Sequence, residues 1–184
     1  MIRRAVSLAL TLALAAPFAV SAADYSVQAG STLGFTSNFQ GSSFDGHFNK
    51  WTAAISYDPA KLASSKFDVT VDLATAKTGD NDRDSALPGP DFFNVAKYPQ
   101  AHFVTTAFHQ QGNQVVADGM LTLRGVTKPV SLSVVFKPQG SGATLDVTGT
   151  VKRLDFGVGG GQYADTSVIG ADVKVIAHLV LTAK

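Results

Sequence analysis

Apolar and polar positions alternate with a period of two along most of this chain. The cleanest stretch is Lys66 to Thr75, where Phe67, Val69, Val71 and Leu73 share one face and Asp68, Thr70 and Asp72 the other. That is the signature of an antiparallel strand with one face buried and one wet. Tyr25 to Phe39 opens in the same way, with Leu33, Phe35 and Phe39 on one face. After a turn at Gln40–Ser43, Gly46 to Asp58 places Trp51, Ala53, Ile55 and Tyr57 in step. Phe44 and Phe48 fall on the opposite parity, which predicts a bulge or twist between Phe48 and Trp51. Asp58-Pro59 ends that strand. Further strands are predicted over Ala101–His109, Gln114–Arg124, Val126–Lys137, Ala143–Leu154 and Ser167–Thr182, punctuated by Gly112, Gly125, Gly140-Ser141-Gly142 and the Gly157–Gly161 run.

The pattern breaks once. Thr78 to Phe103 carries Asp80, Asp82, Arg83 and Asp84, three prolines and the pair Phe92-Phe93. A connection this long inside a compact domain is functional or disordered, and Leu87, Phe92, Phe93, Tyr98 and Phe103 supply too much apolar surface for disorder. It reads as an ordered crossover with one or two helical turns, one of them near Arg83–Leu87 and capped by Asp82 or Asp84.

About eight strands with one helical interruption leave two long edges to protect. Closing the sheet into an eight-stranded antiparallel barrel removes both, and a barrel of that size can enclose one small ligand. A two-sheet sandwich is the rival architecture. Composition favours the all-β class: all 14 acidic residues are Asp, which is a poorer helix former than Glu.

Residues 1–22 are read as a secretory signal peptide, with Arg3 and Arg4 preceding an apolar run from Ala5 to Val20 and small residues at the cleavage point. Cleavage after Ala22 and cleavage after Ala23 fit equally well. The mature domain is then 23–184, exported to a bacterial periplasm or beyond. Cysteine is absent, so disulfides do not support it. Without Arg3 and Arg4 the 15 basic residues become 13, against 14 acidic ones. A charge near −1 with no basic stripe argues against nucleic-acid partners.

The chemistry-bearing side chains point away from catalysis. There is no Gly-x-Ser-x-Gly elbow, and His47, His102, His109 and His178 form no metal-ligand spacing. Asp80-Asn81-Asp82-Arg83-Asp84 starts like a calcium loop, with Asp91 at the twelfth place, but Ser85 occupies the sixth where glycine is needed. Gly157–Gly161 lacks the Lys-Ser/Thr of a phosphate loop. No metal, cofactor or catalytic residue is expected.

Three motifs carry a family resemblance. Arg83-Asp84, Leu87, Asp91-Phe92-Phe93, Tyr98-Pro99, Ala101 and Phe103 resemble the central motif of the YceI-like family. Gly119 to Val130 is similar to its second signature and Arg153 to Gly159 to its third. The resemblance implies a lipocalin-like barrel, a periplasmic or secreted location, and a long isoprenoid or other lipid-like chain held inside without known catalysis. Asn38-Phe39-Gln40 stands where many members have a His-containing segment. That resembles the subset found beside cytochrome b561-type membrane proteins and implies a quinone-linked role; a homodimer is a further possibility. Strand alternation then assigns the ligand-facing wall to Leu33, Phe35, Phe39, Trp51, Phe67, Val69, Phe103, Leu121, Phe136 and Leu145. Phe92 and Phe93 are expected to close one end, with Arg83 as the polar contact.

Overall fold

The computed structural model describes residues 22–184, so the predicted leader lies outside them but for Ala22. Alternating segments become strands as expected, and their order along the sheet is their order along the chain. Eleven strands form eight staves of a closed up-and-down barrel, because three staves are each broken in two. The first stave is β1 (Ala23–Val27) and β2 (Thr32–Phe39), the second β3 (Ser42–Phe48) and β4 (Trp51–Tyr57), the third β5 (Lys66–Asp72) and β6 (Ala76–Lys77). The remaining five are unbroken: β7 (Gln100–Gln111), β8 (Gln114–Leu123), β9 (Val126–Gln139), β10 (Gly142–Lys152) and β11 (Asp172–Ala183). Closure comes from β11, which pairs β1 at Leu181–Ala183 and β2 at Lys174–His178. The rival sandwich is thereby excluded.

Several local expectations are corrected. Tyr25–Phe39 is interrupted at Gln28–Ser31, where Gly30 turns the chain at φ +91°. The bulge expected between Phe48 and Trp51 is a full break, with the Asn49 and Lys50 amides both donating to Thr75. The last strand starts at Asp172 and not at Ser167, because 161–171 is held in a separate loop. In the crossover, α1 spans Asn81–Ala86 and its cap is Asp80, whose carboxylate accepts from the Arg83 amide. Asp84 instead accepts from the amide and hydroxyl of Thr78, which ties the helix to the end of β6.

The connections sort the barrel into two ends. The turns at Asp58–Ser65, Gly112-Asn113 and Gly140-Ser141 lie at one end with both termini of the described chain. The other end carries the β2–β3 and β8–β9 hairpins, the crossover 78–99, and the β10–β11 connection 153–171. The two hairpins are two-residue turns in which Gln40-Gly41 and Arg124-Gly125 all have positive φ, the twist that suits paired strands.

The interior divides in the same way. At the lower end an aromatic plug fills the barrel. Tyr57 is 1% exposed, with its ring 5.0 Å from Phe136 and 5.8 Å from both Phe67 and Phe108. Burial in this plug raises the Tyr57 phenol's pKa, helped by the adjacent Asp58. The upper cluster gathers Leu73, Phe93, Val130, Val151, Phe156 and Val158. Among the described residues no helix is long and apolar enough to cross a membrane.

Candidate functional site

Between the plug and the upper connections lies a cavity of about 250 Å³. It is walled by the inward faces of the staves. β2 supplies Leu33 and Phe35, β4 supplies Trp51, and β5 supplies Phe67 and Val69. Phe103 of β7, Leu121 of β8 and Leu145 of β10 complete the ring, while Phe92 and Phe93 reach in from the crossover. These ten are residues that strand alternation and the crossover motif singled out. Two glycines make the wall possible. The Phe35 ring lies where a Cβ on Gly46 would stand, 2.2 Å from Cζ, and Phe103 lies likewise over Gly119 at 2.4 Å. A side chain at either site would push the ring into the hollow.

Three expected lining residues fall elsewhere. Phe39 keeps the inward parity of Leu33, Phe35 and Ser37, but it sits past the rim, 39% exposed and bridged to Ile169. Phe136 belongs to the plug, against Tyr25 and Tyr57. Arg83 stays outside the wall. Its Nε donates to Thr78 Oγ1 at 3.3 Å, its Nη1 is 3.7 Å from Asp80, and its guanidinium covers the Phe44 ring at 4.5 Å.

Other residues of the wall were not foreseen. Phe44 and Phe48 face inward because the two-residue break at Asn49-Lys50 shifts the parity between β3 and β4; the odd spacing from Phe48 to Trp51 was the available signal. Ser37 and Arg153 are the polar residues of the lining, yet no oxygen or nitrogen presents surface to the hollow.

Arg153 is 3% exposed and spends all its donors on the loop that follows it. Nε donates to the Gly170 carbonyl at 2.9 Å. Nη1 reaches the Val158 carbonyl at 3.0 Å and also that of Gly159, and Nη2 reaches Tyr163 at 2.9 Å and Ile169 at 2.8 Å. Burial lowers its pKa, and the five carbonyl dipoles surround its charge in place of a carboxylate. The loop so organised is stitched to the crossover: the Gly159 amide donates to the Asp91 carbonyl at 2.8 Å, and Arg124 donates to the carbonyls of both Pro90 and Gly157. Phe92 packs 5.1 Å from Tyr163 across the same joint. The result is a lid of two segments over the upper end of an apolar hollow. Such an arrangement, apolar throughout its described lining surface, offers burial to a hydrocarbon. The acidic cluster of the crossover serves turns and ion pairs, through Asp80 on α1 and Asp84 on Thr78 and Lys77.

Comparisons with known proteins agree with this architecture. A family model described as a YceI-like domain matches residues 7–181. A UPF0312 protein of Pseudomonas syringae pv. syringae (strain B728a) is 34% identical over 165 residues, which cover 84% of this chain and 86% of that protein. The crystal structure of Burkholderia cenocepacia BcnA superposes with a TM-score of 0.80 at 33% identity, covering 84% of this chain and 99% of BcnA. A polyisoprenoid-binding domain from Saccharophagus degradans, implicated in plant cell wall breakdown, shares the fold at a TM-score of 0.66 and 19% identity, covering 87% and 98%.

Proposed function

Because this chain belongs to the YceI-like domain family, we propose that it is an exported, non-catalytic carrier. Its cargo would be a polyisoprenoid, an isoprenoid quinone or another long-chain lipid, held with the chain inside the barrel. The observation that carries this reading is the hollow itself, about 250 Å³ of space on which no polar atom opens, retained beside a plug that shows the same sequence can fill a barrel when filling is wanted. The likeness to a polyisoprenoid-binding domain supports the fold that the reading needs.

The volume lies just under the ~300–1,000 Å³ of ordinary ligand sites. Taking a chain carbon as about the size of a water molecule, ~30 Å³, the hollow takes roughly eight carbons. At about 0.8 kcal/mol per buried methylene that is on the order of 6 kcal/mol gross, less association costs. A longer chain gains more only by moving ring side chains or by extending out of the barrel. A quinone cargo would suit a cytochrome b561-type membrane partner, and a periplasmic setting would bring the two together.

Native mass spectrometry of gently purified protein, followed by extraction and identification of any bound lipid, tests the proposal. Protein that is always recovered empty, and that takes up neither farnesol nor geranylgeraniol on incubation, would refute it.

A further inference from the structure

The crossover and the β10–β11 loop bound the hollow at its upper end and the aromatic plug bounds it at its lower end. Between them the wall is incomplete. The first two staves pair at Ala23–Tyr25 with Ile55–Tyr57 and again at Gly34–Phe39 with Ser42–His47. Between these ladders Ser26–Leu33 faces Phe48–Ala54 with no pairing at all. The amides there look elsewhere: Gln28 donates to Val180, and Asn49 and Lys50 to Thr75. Paired strands stand about 4.8 Å apart, and here that seam is unlaced where both staves break.

A second, open concavity of about 570 Å³ occupies this gap. Its lining takes in inward-facing Val27 as well as outward-facing Gln28 and Thr52, so it borders both faces of the sheet at the gap. It shares Trp51 and Ala53 with the inner cavity. Both are half-buried though they point into the barrel. The inside is carbon throughout; the outside is polar. Asn49, Thr52 and Lys184 have no side-chain hydrogen-bond or ion-pair partner among the described residues, and Lys50 is already balanced by Asp72 at 3.5 Å.

We infer that this lateral slot is the ligand's entrance and the seat of its head group. The chain threads past Trp51 and Ala53 into the hollow, and an oxygen-bearing head, hydroxyl or carbonyl, stays in the outer groove and accepts from Asn49, Thr52 and Lys184. The inference rests on the carrier reading above. It assigns head recognition to the slot and not to Arg83, and it gives a chain longer than the hollow somewhere to extend.

The test uses a geranylgeranyl chain with a benzophenone ester at its head, loaded into the purified protein. Uptake is read by native mass spectrometry and attachment sites by peptide mapping after irradiation. Cross-links on Gln28, Ser31 or Asn49–Thr52 are expected. In parallel Thr52→Trp, which adds bulk outside the wall, should slow association by about tenfold at unchanged stoichiometry, within the range over which on-rates vary among mutants of one interface. Uptake with cross-links confined to Gln40 or Tyr163–Val168 at the upper rim would overturn the slot and leave the carrier reading standing, as would an unchanged rate in a folded Thr52→Trp. No uptake at all would sink both.

Discussion

Arg153→Met is the substitution that separates a structural from a binding role for the buried cation. The methionine roughly keeps the apolar stem and removes five N–H donors. Left behind are the carbonyls of Val158, Gly159, Tyr163, Ile169 and Gly170, which span almost the whole β10–β11 connection. Hydrogen bonds to a charged group are worth about 1.5–3 kcal/mol each, so five sum to roughly 7–15 kcal/mol. Two effects reduce this. Burying the guanidinium costs several kcal/mol that methionine does not, and the exposed part of the loop, 161–168, can rehydrate its carbonyls. A net loss of about 3–5 kcal/mol remains, the usual cost of breaking a buried charge from its partners. For a domain of this size that is a drop of about 10 °C in Tm. Urea and thermal denaturation followed by circular dichroism measure it, and limited proteolysis should show new cleavage within 161–168. Arg153→Lys, with three donors in place of five, should recover less than half of the loss. A change under about 0.5 kcal/mol, the level of an ordinary surface substitution, or complete rescue by lysine, would refute the account of Arg153 as the organiser of the lid.

Two further outcomes follow from the geometry. Gly46→Ala puts a Cβ 2.2 Å from Phe35 Cζ; the ring should swing into the hollow, costing about 1–3 kcal/mol in urea unfolding and reducing prenyl-lipid uptake by native mass spectrometry, whereas unchanged uptake would mean that the ring moves outward. Asp68 is held below the usual carboxylate range chiefly by its hydrogen bond with His102, Nε2 to Oδ1 2.8 Å, with Lys66 adding to it. A depressed folded-state pKa stabilises above the ordinary Asp value near ~3.9 and ceases to do so as pH falls through the lower folded value; because the pair is exposed the effect is under ~1 kcal/mol. Asp68→Asn should therefore melt slightly below the parent at pH 6 and level with it at pH 2, and a gap that persists at pH 2 would contradict this.

What could be read from the sequence was whatever strand periodicity controls. Phe67, Val69, Val71 and Leu73 face inward as their spacing says, and the eight-stave closure follows from the need to protect edges. Periodicity has no means of marking where a barrel ends. Phe39 is in phase with Phe35 yet stands beyond the rim, and Phe136 is in phase with the wall yet lies in the plug. Nor does it carry across a break: the opposite parity of Phe44 and Phe48 marked an irregularity before Trp51, but not that both rings join the wall once Asn49 and Lys50 reset the count. Arg153 was illegible for a different reason. Its five acceptors are backbone carbonyls, present whatever the side chains are, so no partner residue advertises them.

The division between a packed lower half and a vacant upper half has an energetic logic. An unfilled cavity costs about 24 cal/mol per Å³, so about 250 Å³ forgoes on the order of 6 kcal/mol. That is comparable with the whole net stability of a typical domain, ~5–15 kcal/mol. A chain with no disulfide to offset it must recover the loss elsewhere. The aromatic plug, the closed ladder and the lid saturated by Arg153 are where it does so, and each borders the hollow without filling it. Had the vacancy been a packing defect, Leu or Phe in place of the wall's small members, Ala53, Ala101 or Ala177, would relieve it at little cost. Glycines at 46 and 119 instead draw the large rings flat against the wall, which enlarges the space and does not fill it. Rings so placed keep open the room that the proposed lipid chain would occupy.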